Sequence, residues 1–205
     1  MERVGRTKVF IVDDDSHLLR ALDQCLSAAG WDTESFASIA EFEARVQASE
    51  PGVLLLDYEF PGENGLELQA RMVDRRDRRP IVFMTGRDEV PLAVEAMKGG
   101  AIDYLVKPFS EESLFEVVTR ASKVEESRQQ SRLEIESVKK SFESLTPREK
   151  QVMAHVVAGK LNKQIAGEML LAEVTVKVHR SRMMQKMKAS SVSALVRLHD
   201  RLFGS

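Results

Sequence analysis

The sequence of 205 residues has one cysteine, one tryptophan and no long hydrophobic run. A single cysteine excludes an internal disulfide, and Cys25, which lies among leucines and alanines, is typical of a buried, unreactive thiol in a reducing compartment. Its apolar runs, such as residues 53–56, are far shorter than the roughly 20 residues that cross a membrane. The charged residues 1–8 are not followed by an apolar export signal. We therefore expect a cytoplasmic protein without a membrane partner.

The small net charge of −2 conceals two segments of opposite charge. Residues 146–205 contain 11 Lys and Arg against 4 Asp and Glu, which gives +7, so residues 1–145 carry −9. A division of this kind indicates two modules with different partners. The basic segment favours nucleic acid, whereas the acidic segment favours cations.

Within the first 125 residues, short apolar runs alternate with stretches of helical periodicity. Leu18, Leu22 and Cys25, for example, recur at three- or four-residue steps. The alternation predicts an α/β fold with a parallel sheet covered on both faces, because strands buried twice are almost continuously apolar. The runs taken as strands are residues 8–12, 33–36, 53–56, 81–84 and 104–106.

Polar residues follow these runs, at the carboxyl ends where parallel sheets place their sites. In chain order they are Asp13, Asp14, Asp15, Asp57, Thr85 and Lys107. Close carboxylates repel one another and need a cation, and an all-oxygen cluster with room for water suits Mg²⁺. Mg²⁺ with a lysine and a hydroxyl forms a cradle for a phosphoryl group, which an aspartate can itself accept.

Other roles are open for parts of this set. Asp15 or Ser16 can serve as the N-cap of the first helix rather than as a site residue. The enzymatic alternative is a Mg²⁺-dependent phosphohydrolase with the same aspartyl chemistry. It is the weaker hypothesis, because the sequence has no dedicated substrate cap and no second acid beside Asp57 to act as a general acid.

The same residues resemble the receiver domain of response regulators, over about residues 6–125. The stretch 88–109 is especially similar to the FixJ-type subgroup. The motifs are Val12-Asp13-Asp14, Leu56-Asp57 followed by Pro61-Gly62 and Gly65, Met84-Thr85-Gly86, and Lys107-Pro108-Phe109. The resemblance implies a doubly wound, five-stranded parallel sheet of order 2-1-3-4-5.

The resemblance also implies the chemistry of the site. Asp57 would accept phosphate from a sensor histidine kinase. Mg²⁺ would be held by Asp13 or Asp14, by Asp57 and by the backbone carbonyl of Glu59.

Three further residues complete the site that the resemblance implies. Thr85 and Lys107 would bind the phosphoryl oxygens, and Tyr104 would change rotamer together with Thr85. We also predict a cis peptide bond between Lys107 and Pro108, because a tight turn must direct the lysine into the pocket and proline permits that bond.

Residues 146–205 are predicted to form four short helices. Thr146 begins the first with Glu149 at N3, Gly159 ends it, and Asn162 can cap the second. The third, about residues 173–187, has an apolar face of Val176, Met183 and Met187, and opposite it a polar face of Lys177, Val178, Ser181, Arg182 and Gln185. A basic, polar helix that follows another helix and a tight turn suits the major groove of DNA.

This segment resembles the helix-turn-helix domain of the LuxR/NarL family, an all-α domain of four helices. The matching residues are Leu145-Thr146-Pro147-Arg148-Glu149, Gly159, Asn162-Lys163, Ile165-Ala166 and Thr175-Val176-Lys177-Val178-His179-Arg180. The resemblance implies base contacts from Lys177, Val178 and Ser181. It implies phosphate contacts from Lys163, Thr175, Arg180 and Arg182. Ala172 departs from the family, which usually has a serine or threonine cap there.

The segment between the two domains is predicted to be a long helix, since residues 110–145 contain neither proline nor glycine. Apolar residues repeat there in a heptad pattern. The first half covers the receiver sheet, and the second half meets a partner chain, lies against the DNA-binding domain or is a solvated, partly frayed helix. We therefore expect a receiver domain over 1–124, a helical linker over 125–144 and a DNA-binding domain over 145–205.

Together these features predict a non-enzymatic transcription regulator whose receiver takes a phosphoryl group on Asp57, forms a homodimer and binds double-stranded DNA. RNA polymerase is a further candidate partner. The alternatives are a DNA-binding regulator with a phosphate-independent receiver and, less favoured, the phosphohydrolase.

Overall fold

The computed structural model describes residues 7–86 and 90–204. The chain divides into two compact units, Met1–Gln129 and Gln130–Ser205. Among the described residues, no helix combines the length and the apolar character that crossing a membrane requires.

The first unit contains a parallel sheet with the predicted topology. The strands found in the described residues are Lys8–Val12 (β1), Asp32–Phe36 (β2), Val53–Asp57 (β3), Glu59–Phe60 (β4), Glu63–Asn64 (β5), Ile81–Thr85 (β6) and Asp103–Val106 (β7). Five of them pair in the order β2-β1-β3-β6-β7, all parallel. Counted along the chain within this sheet, the order is 2-1-3-4-5, as predicted. Every residue of β3 and β6 is buried, which explains their continuous apolar sequence.

The remaining two strands, β4 and β5, form a small antiparallel hairpin directly after Asp57, which the sequence did not indicate. Glu59 pairs with Asn64 across the hairpin. Gly62 has a φ of 89° in its turn, a conformation that glycine adopts without steric cost. The hairpin thereby fixes the backbone at Glu59 beside the carboxyl end of β3.

Helices cover both faces of the sheet. They are Ser16–Ala28 (α1), Ile39–Arg45 (α2), Gly65–Asp74 (α3), Val90–Lys98 (α4) and Glu111–Glu143 (α5). Apolar residues of α1 and α5 form one buried cluster with the sheet, and those of α2, α3 and α4 form a second cluster on the other face. Asp15 is the N-cap of α1, since its side chain accepts the amide hydrogens of His17 and Leu18. This confirms the capping role rather than a site role for Asp15.

The α5 helix is continuous through the segment predicted to join the two domains. A loose coil over residues 125–140 is therefore excluded. Leu114 and Val118 pack in the core of the first unit. Val138 and Phe142 pack against the core of the second unit, which favours the alternative that this half of the heptad pattern lies against the DNA-binding domain.

Four further helices form the second unit: Pro147–Val157 (α6), Asn162–Met169 (α7), Glu173–Lys186 (α8) and Val192–Phe203 (α9). Their core contains Val152, Ile165, Val176, Met183 and Leu195, all of them fully buried. The number of helices and the position of the third agree with the prediction.

The helix ends of the second unit bear out most of the predicted signals. Thr146 and Glu149 form the predicted capping box of α6. Asn162 does not cap α7, and that prediction is wrong: the N-cap is Leu161, and the side-chain oxygen of Asn162 instead accepts a hydrogen bond from Arg180. Ala172 is the N-cap of α8 and provides no side-chain hydrogen bond.

Gly65→Ala is expected to destabilise the first unit. A Cβ atom on Gly65 would lie 2.6 Å from the backbone oxygen of Asp57 and 2.8 Å from a ring carbon of Phe83. Because a buried strand has little room to move, the free energy of unfolding should fall by about 1–3 kcal/mol. Urea unfolding can be followed by fluorescence of Trp31, the single tryptophan, which stacks on Phe115 in the same unit.

Gly86→Ala is the matched control for Gly65→Ala. A Cβ atom on Gly86 would meet nothing within 4 Å. This variant should change the stability by less than about 0.5 kcal/mol. Equal urea midpoints for the two variants would contradict the predicted role of the close approach at Gly65.

Candidate functional site

Two carboxylates and one lysine from three strand ends are in direct contact. Asp13 follows β1, Asp57 ends β3 and Lys107 follows β7. Lys107 Nζ donates hydrogen bonds to Asp13 Oδ2 at 2.6 Å and to Asp57 Oδ1 at 2.7 Å. Asp13 is fully buried and Asp57 is only 6% exposed. The predicted convergence of these residues at one edge of the sheet is therefore present.

The surroundings shift the pKa of both partners. Burial raises the pKa of Asp57 because its ionised form loses solvation, and the Asp13 carboxylate acts in the same direction, whereas Lys107 opposes both without outweighing them. Burial alone would lower the pKa of Lys107, but its hydrogen bonds to the two carboxylates outweigh burial and raise it. Lys107 is therefore a cation at neutral pH, and ionised Asp57 costs free energy.

A third carboxylate completes an acidic cluster. Asp13, Asp14 and Asp57 each offer one oxygen, and these oxygens lie within 4.8 Å of one another. Asp14 is exposed, so the cluster opens to solvent, and Asp13 Oδ1 accepts the amide hydrogen of Asp15 at 2.9 Å. Hard oxygen donors with access to water fit Mg²⁺. Glu59 lies in β4 with its side chain exposed, two residues beyond Asp57.

The remaining predicted residues lie around this contact. Thr85 is buried at the end of β6, the strand next to β3, and its carbonyl accepts the amide hydrogen of Lys107 at 2.7 Å. The peptide bond between Lys107 and Pro108 is cis, as predicted. Tyr104 is 38% exposed in β7, so it is not an interior-facing aromatic in this structure.

In the second unit, α8 has the predicted division between a buried and an exposed face. Val176 and Met183 are fully buried, and Met187, directly after the helix, is 2% exposed. The exposed side chains are Lys177, Val178, Ser181, Arg182 and Gln185. Lys163 on α7 is exposed as well, and Thr175 is half-buried. The structure thus presents a polar, basic helix face of the kind that enters a major groove.

Among the predicted DNA contacts, Lys177 pairs with Glu173 of its own helix at 3.1 Å, whereas Arg180 has a partner on another helix. It is half-buried, and its Nη1 donates to Asn162 Oδ1 at 2.8 Å. This hydrogen bond joins α8 to the first residue of α7. Arg180 therefore positions the helix whether or not it also reaches a phosphate.

The far end of α8 is held by a contact that the sequence analysis missed. Lys186 Nζ donates to Glu149 Oε2 at 2.7 Å and to the Ser144 carbonyl at 3.1 Å. Glu149 is buried, and the hydrogen bond from Lys186, followed by that from the Thr146 backbone, lowers its pKa. A lysine at a helix end is ordinarily a solvated charge, so Lys186 itself gave no signal in the sequence. Only the burial of Glu149, which the structure shows, indicates that this carboxylate needs a cationic partner.

Comparison with known families matches each of the two units to a family. The family described as response regulator receiver domain matches residues 9–119. The family of bacterial regulatory proteins of the luxR type matches residues 143–199. The two matches cover the residues that form the acidic cluster and the exposed face of α8.

Curated relatives and solved structures match nearly the whole chain. The response regulator protein TodT of Pseudomonas putida is 39% identical over 194 residues, which cover 95% of this chain and 86% of TodT. The transcriptional regulatory protein FixJ of Bradyrhizobium diazoefficiens is 37% identical over 94% of both chains. The structure of the response regulator StyR matches with a TM-score of 0.83 and 40% identity, over 96% of this chain and 99% of StyR.

Asp57→Asn is expected to stabilise the first unit at neutral pH. The raised pKa of Asp57 means that the folded protein favours the protonated form. The stability from this group is fully present below the ordinary aspartate pKa of 3.8 and is lost as the pH rises through the raised value. A neutral amide avoids that loss, so the variant should be the more stable protein at pH 7.5. Urea unfolding in EDTA between pH 4 and 8 should show the gain shrinking towards acid.

Asp14→Asn provides the control for this effect. Asp14 is exposed, so its ionised form stays solvated. Its substitution should change the stability by less than about 0.5 kcal/mol across the same pH range. If both variants gain the same stability, the effect comes from the general negative charge and not from the burial of Asp57.

Proposed function

Because the chain belongs to the two-component response regulators that join a receiver domain to a LuxR-type DNA-binding domain, we propose that a phosphoryl group on Asp57 controls its binding to promoter DNA. The proposed donor is a sensor histidine kinase. The observation that carries the proposal is the buried Asp57 carboxylate, in hydrogen-bond contact with Lys107 and beside Asp13.

In the proposed transfer, one Asp57 oxygen forms a bond to phosphorus while the bond from phosphorus to the kinase's histidine nitrogen breaks. The electron pair of the broken bond leaves with the imidazole, which takes up a proton. Lys107 Nζ, 2.7 Å from Asp57 Oδ1, is placed to bind a phosphoryl oxygen. Thr85, at the neighbouring strand end, supplies a hydroxyl for a second one. Both stabilise charge on the transferred group.

The proposed metal ligands are Asp13 or Asp14, Asp57 and the backbone carbonyl of Glu59. When bound, Mg²⁺ supplies positive charge that draws the carboxylates and the phosphoryl oxygens together. Asp13 is held in place by the amide of Asp15, and the hairpin after Asp57 holds the backbone of Glu59. The protein thus contributes oxygen donors on rigid strand ends.

We propose that the phosphoryl group is sensed through Thr85 and Tyr104, and that the surface formed by α4 and β7 then forms a homodimer. That surface exposes apolar side chains, since Val94 is 44% exposed, Met97 46% and Tyr104 38%. A second copy of the chain would cover this apolar area. The dimer would bring two α8 helices to paired half-sites on DNA.

On DNA, α8 is the proposed recognition helix. Its exposed residues Lys177, Val178 and Ser181 would contact base edges in the major groove. The proposed phosphate contacts are Lys163, Thr175, Arg180 and Arg182. RNA polymerase is a further proposed partner of the bound dimer.

Two other functions give different results in solution. A phosphate-independent receiver would dimerise and bind DNA equally with or without a phosphoryl donor. A phosphohydrolase would turn over small phosphate esters many times. We favour phosphorylation control because the Asp57 carboxylate, Lys107 and the acidic cluster together provide an acceptor, a cation and a metal site.

Asp57→Asn should abolish phosphorylation and the dimer shift that depends on it. Wild-type protein incubated with acetyl phosphate and Mg²⁺ should give a retarded band in phosphate-affinity electrophoresis and an earlier elution in size exclusion. The variant should give neither, because an amide cannot act as the nucleophile.

Asp32→Asn is the matched control, since Asp32 is an exposed aspartate in β2, outside the cluster. It should behave as wild type in both measurements. Full labelling of Asp57→Asn would place the acceptor elsewhere. A dimer that forms equally in the wild type and in the variant would support the phosphate-independent alternative.

Lys177→Ala and Arg182→Ala should both weaken DNA binding, but in different ways. Lys177 is proposed to contact a base, so its loss should change base preference at one position and cost about 1–3 kcal/mol. Arg182 is proposed to contact a phosphate, so its loss should weaken all sequences alike and reduce the salt slope by about one. Binding to a randomised duplex library at several salt concentrations separates the two effects.

Arg197→Ala tests whether position or total charge matters. Arg197 is an exposed arginine on α9, away from the α8 face. The substitution Arg197→Ala removes the same charge as Arg182→Ala and should leave DNA binding nearly unchanged. Identical, sequence-independent losses for Lys177→Ala and Arg182→Ala would contradict the base contact assigned to Lys177.

A further inference from the structure

The first unit contains a cavity of about 280 Å³ at the edge of the sheet opposite the acidic cluster. Its walls come from the end of α3, the loop that leads into β6, the turn after α4, and α5. Its polar lining consists of Gln69, Arg76, Asp77, Arg78, Arg79 and Arg128. Four arginines thus share one small concave surface.

Three of these arginines are not neutralised. Among residues 7–86 and 90–204, none of Arg76, Arg78 and Arg128 has a carboxylate within ion-pair distance. Neighbouring arginines do have such partners: Arg71 and Arg75 pair with Glu43, and Arg79 pairs with Asp77. The cavity therefore carries an excess of positive charge, although residues 1–145 carry −9 overall.

The loop that carries Arg76 and Arg78 is held rigidly. The side chain of Arg79 is 2% exposed, pairs with Asp77 at 3.0 Å and donates to the Gln47 carbonyl at 2.8 Å. Arg76 has a φ of 58°, a conformation that costs an arginine free energy relative to glycine. Across the cavity, Arg128 donates a hydrogen bond to the Arg78 carbonyl. The backbone that carries Arg76 and Arg78 is thus fixed before any ligand arrives, and the Arg128 guanidinium is held against it.

We propose that this cavity binds a small ligand that carries a phosphate or diphosphate group. Guanidinium groups bind phosphate oxygens through paired N–H donors, and Arg76, Arg78 and Arg128 together match the charge of a diphosphate. The volume lies just below the roughly 300 Å³ at which small-molecule sites begin, which leaves room for a compact organic group. Its concave shape favours a small ligand over a nucleic-acid backbone. The proposal does not depend on phosphorylation of Asp57.

Calorimetric titration of the full chain with inorganic pyrophosphate tests the proposal. EDTA in the buffer removes divalent cations, which would otherwise bring the probe to the acidic cluster. We expect saturable binding of one pyrophosphate, and we expect Arg78→Gln and Arg128→Gln each to weaken it about tenfold. Arg76→Gly should do the same, because it removes the guanidinium and suits the backbone conformation. Hydrogen exchange should slow at residues 75–80 and 125–129 when pyrophosphate binds.

Arg75→Gln is the matched control, because it removes the same charge one residue away but from a side chain outside the cavity that pairs with Glu43. Its affinity should equal that of wild type. Three results would overturn the proposal: no binding at millimolar pyrophosphate, the same loss in Arg75→Gln, or no loss in the double variant of Arg78 and Arg128. A DNA duplex that protects the same peptides and displaces pyrophosphate would also overturn it, in favour of a nucleic-acid contact. Unchanged urea midpoints confirm that the variants are folded.

Discussion

The contact of Lys107 with the carboxylates of Asp13 and Asp57 is the interaction around which the first unit is arranged. The lysine follows the edge strand β7, and it reaches past β6 to carboxylates at the ends of β3 and β1. In this strand order the three groups meet at one edge of the sheet. Two carboxylates that are nearly removed from water repel each other, and a single ammonium offsets only part of that cost. Such an arrangement lowers stability unless a further cation joins it, which is why it indicates a site and not a structural ion pair.

The same helix, α5, contributes to two hydrophobic cores. Leu114, Val118 and Ala121 pack against the receiver sheet, whereas Val138 and Phe142 pack in the core of the second unit. The apolar residues of both halves follow one heptad pattern, although each half covers a different core. A helix that packs in two cores has to stay unbroken between them, so helix-breaking glycine and proline must be absent there. A break would expose the apolar residues of one half or the other to solvent. The absence of both residues from 110–145 follows from this double role.

The sequence predicted the features that depend on periodicity and on strand ends. Asp13, Asp57 and Lys107 could be placed together because parallel strands all end at the same edge, and Val176 and Met183 could be placed inside because helical spacing puts them on one face. Contacts between side chains of different helices were beyond this reasoning. Asparagine is a residue type that often caps helices, yet the side-chain oxygen of Asn162 accepts a hydrogen bond from Arg180 of another helix. The heptad pattern likewise predicted the helix but could not decide what would cover Val138. The pairing of Lys186 with Glu149 was missed for the same reason.

Some basic residues of the second unit hold its helices in place and others are available to DNA, and the composition alone does not tell which residue does which. Lys160 pairs with Glu168 and Lys186 pairs with Glu149, so these two cations are compensated within the fold. Charges that hold helices in position release no counterions when DNA binds, because they are already compensated. The charge available to phosphates is therefore smaller than the segment's content of Lys and Arg suggests. Contacts from Arg180 in the middle of α8 and from Lys186 at its end hold the helix in place, and a rigid helix presents its side chains to base edges with less loss of entropy on binding.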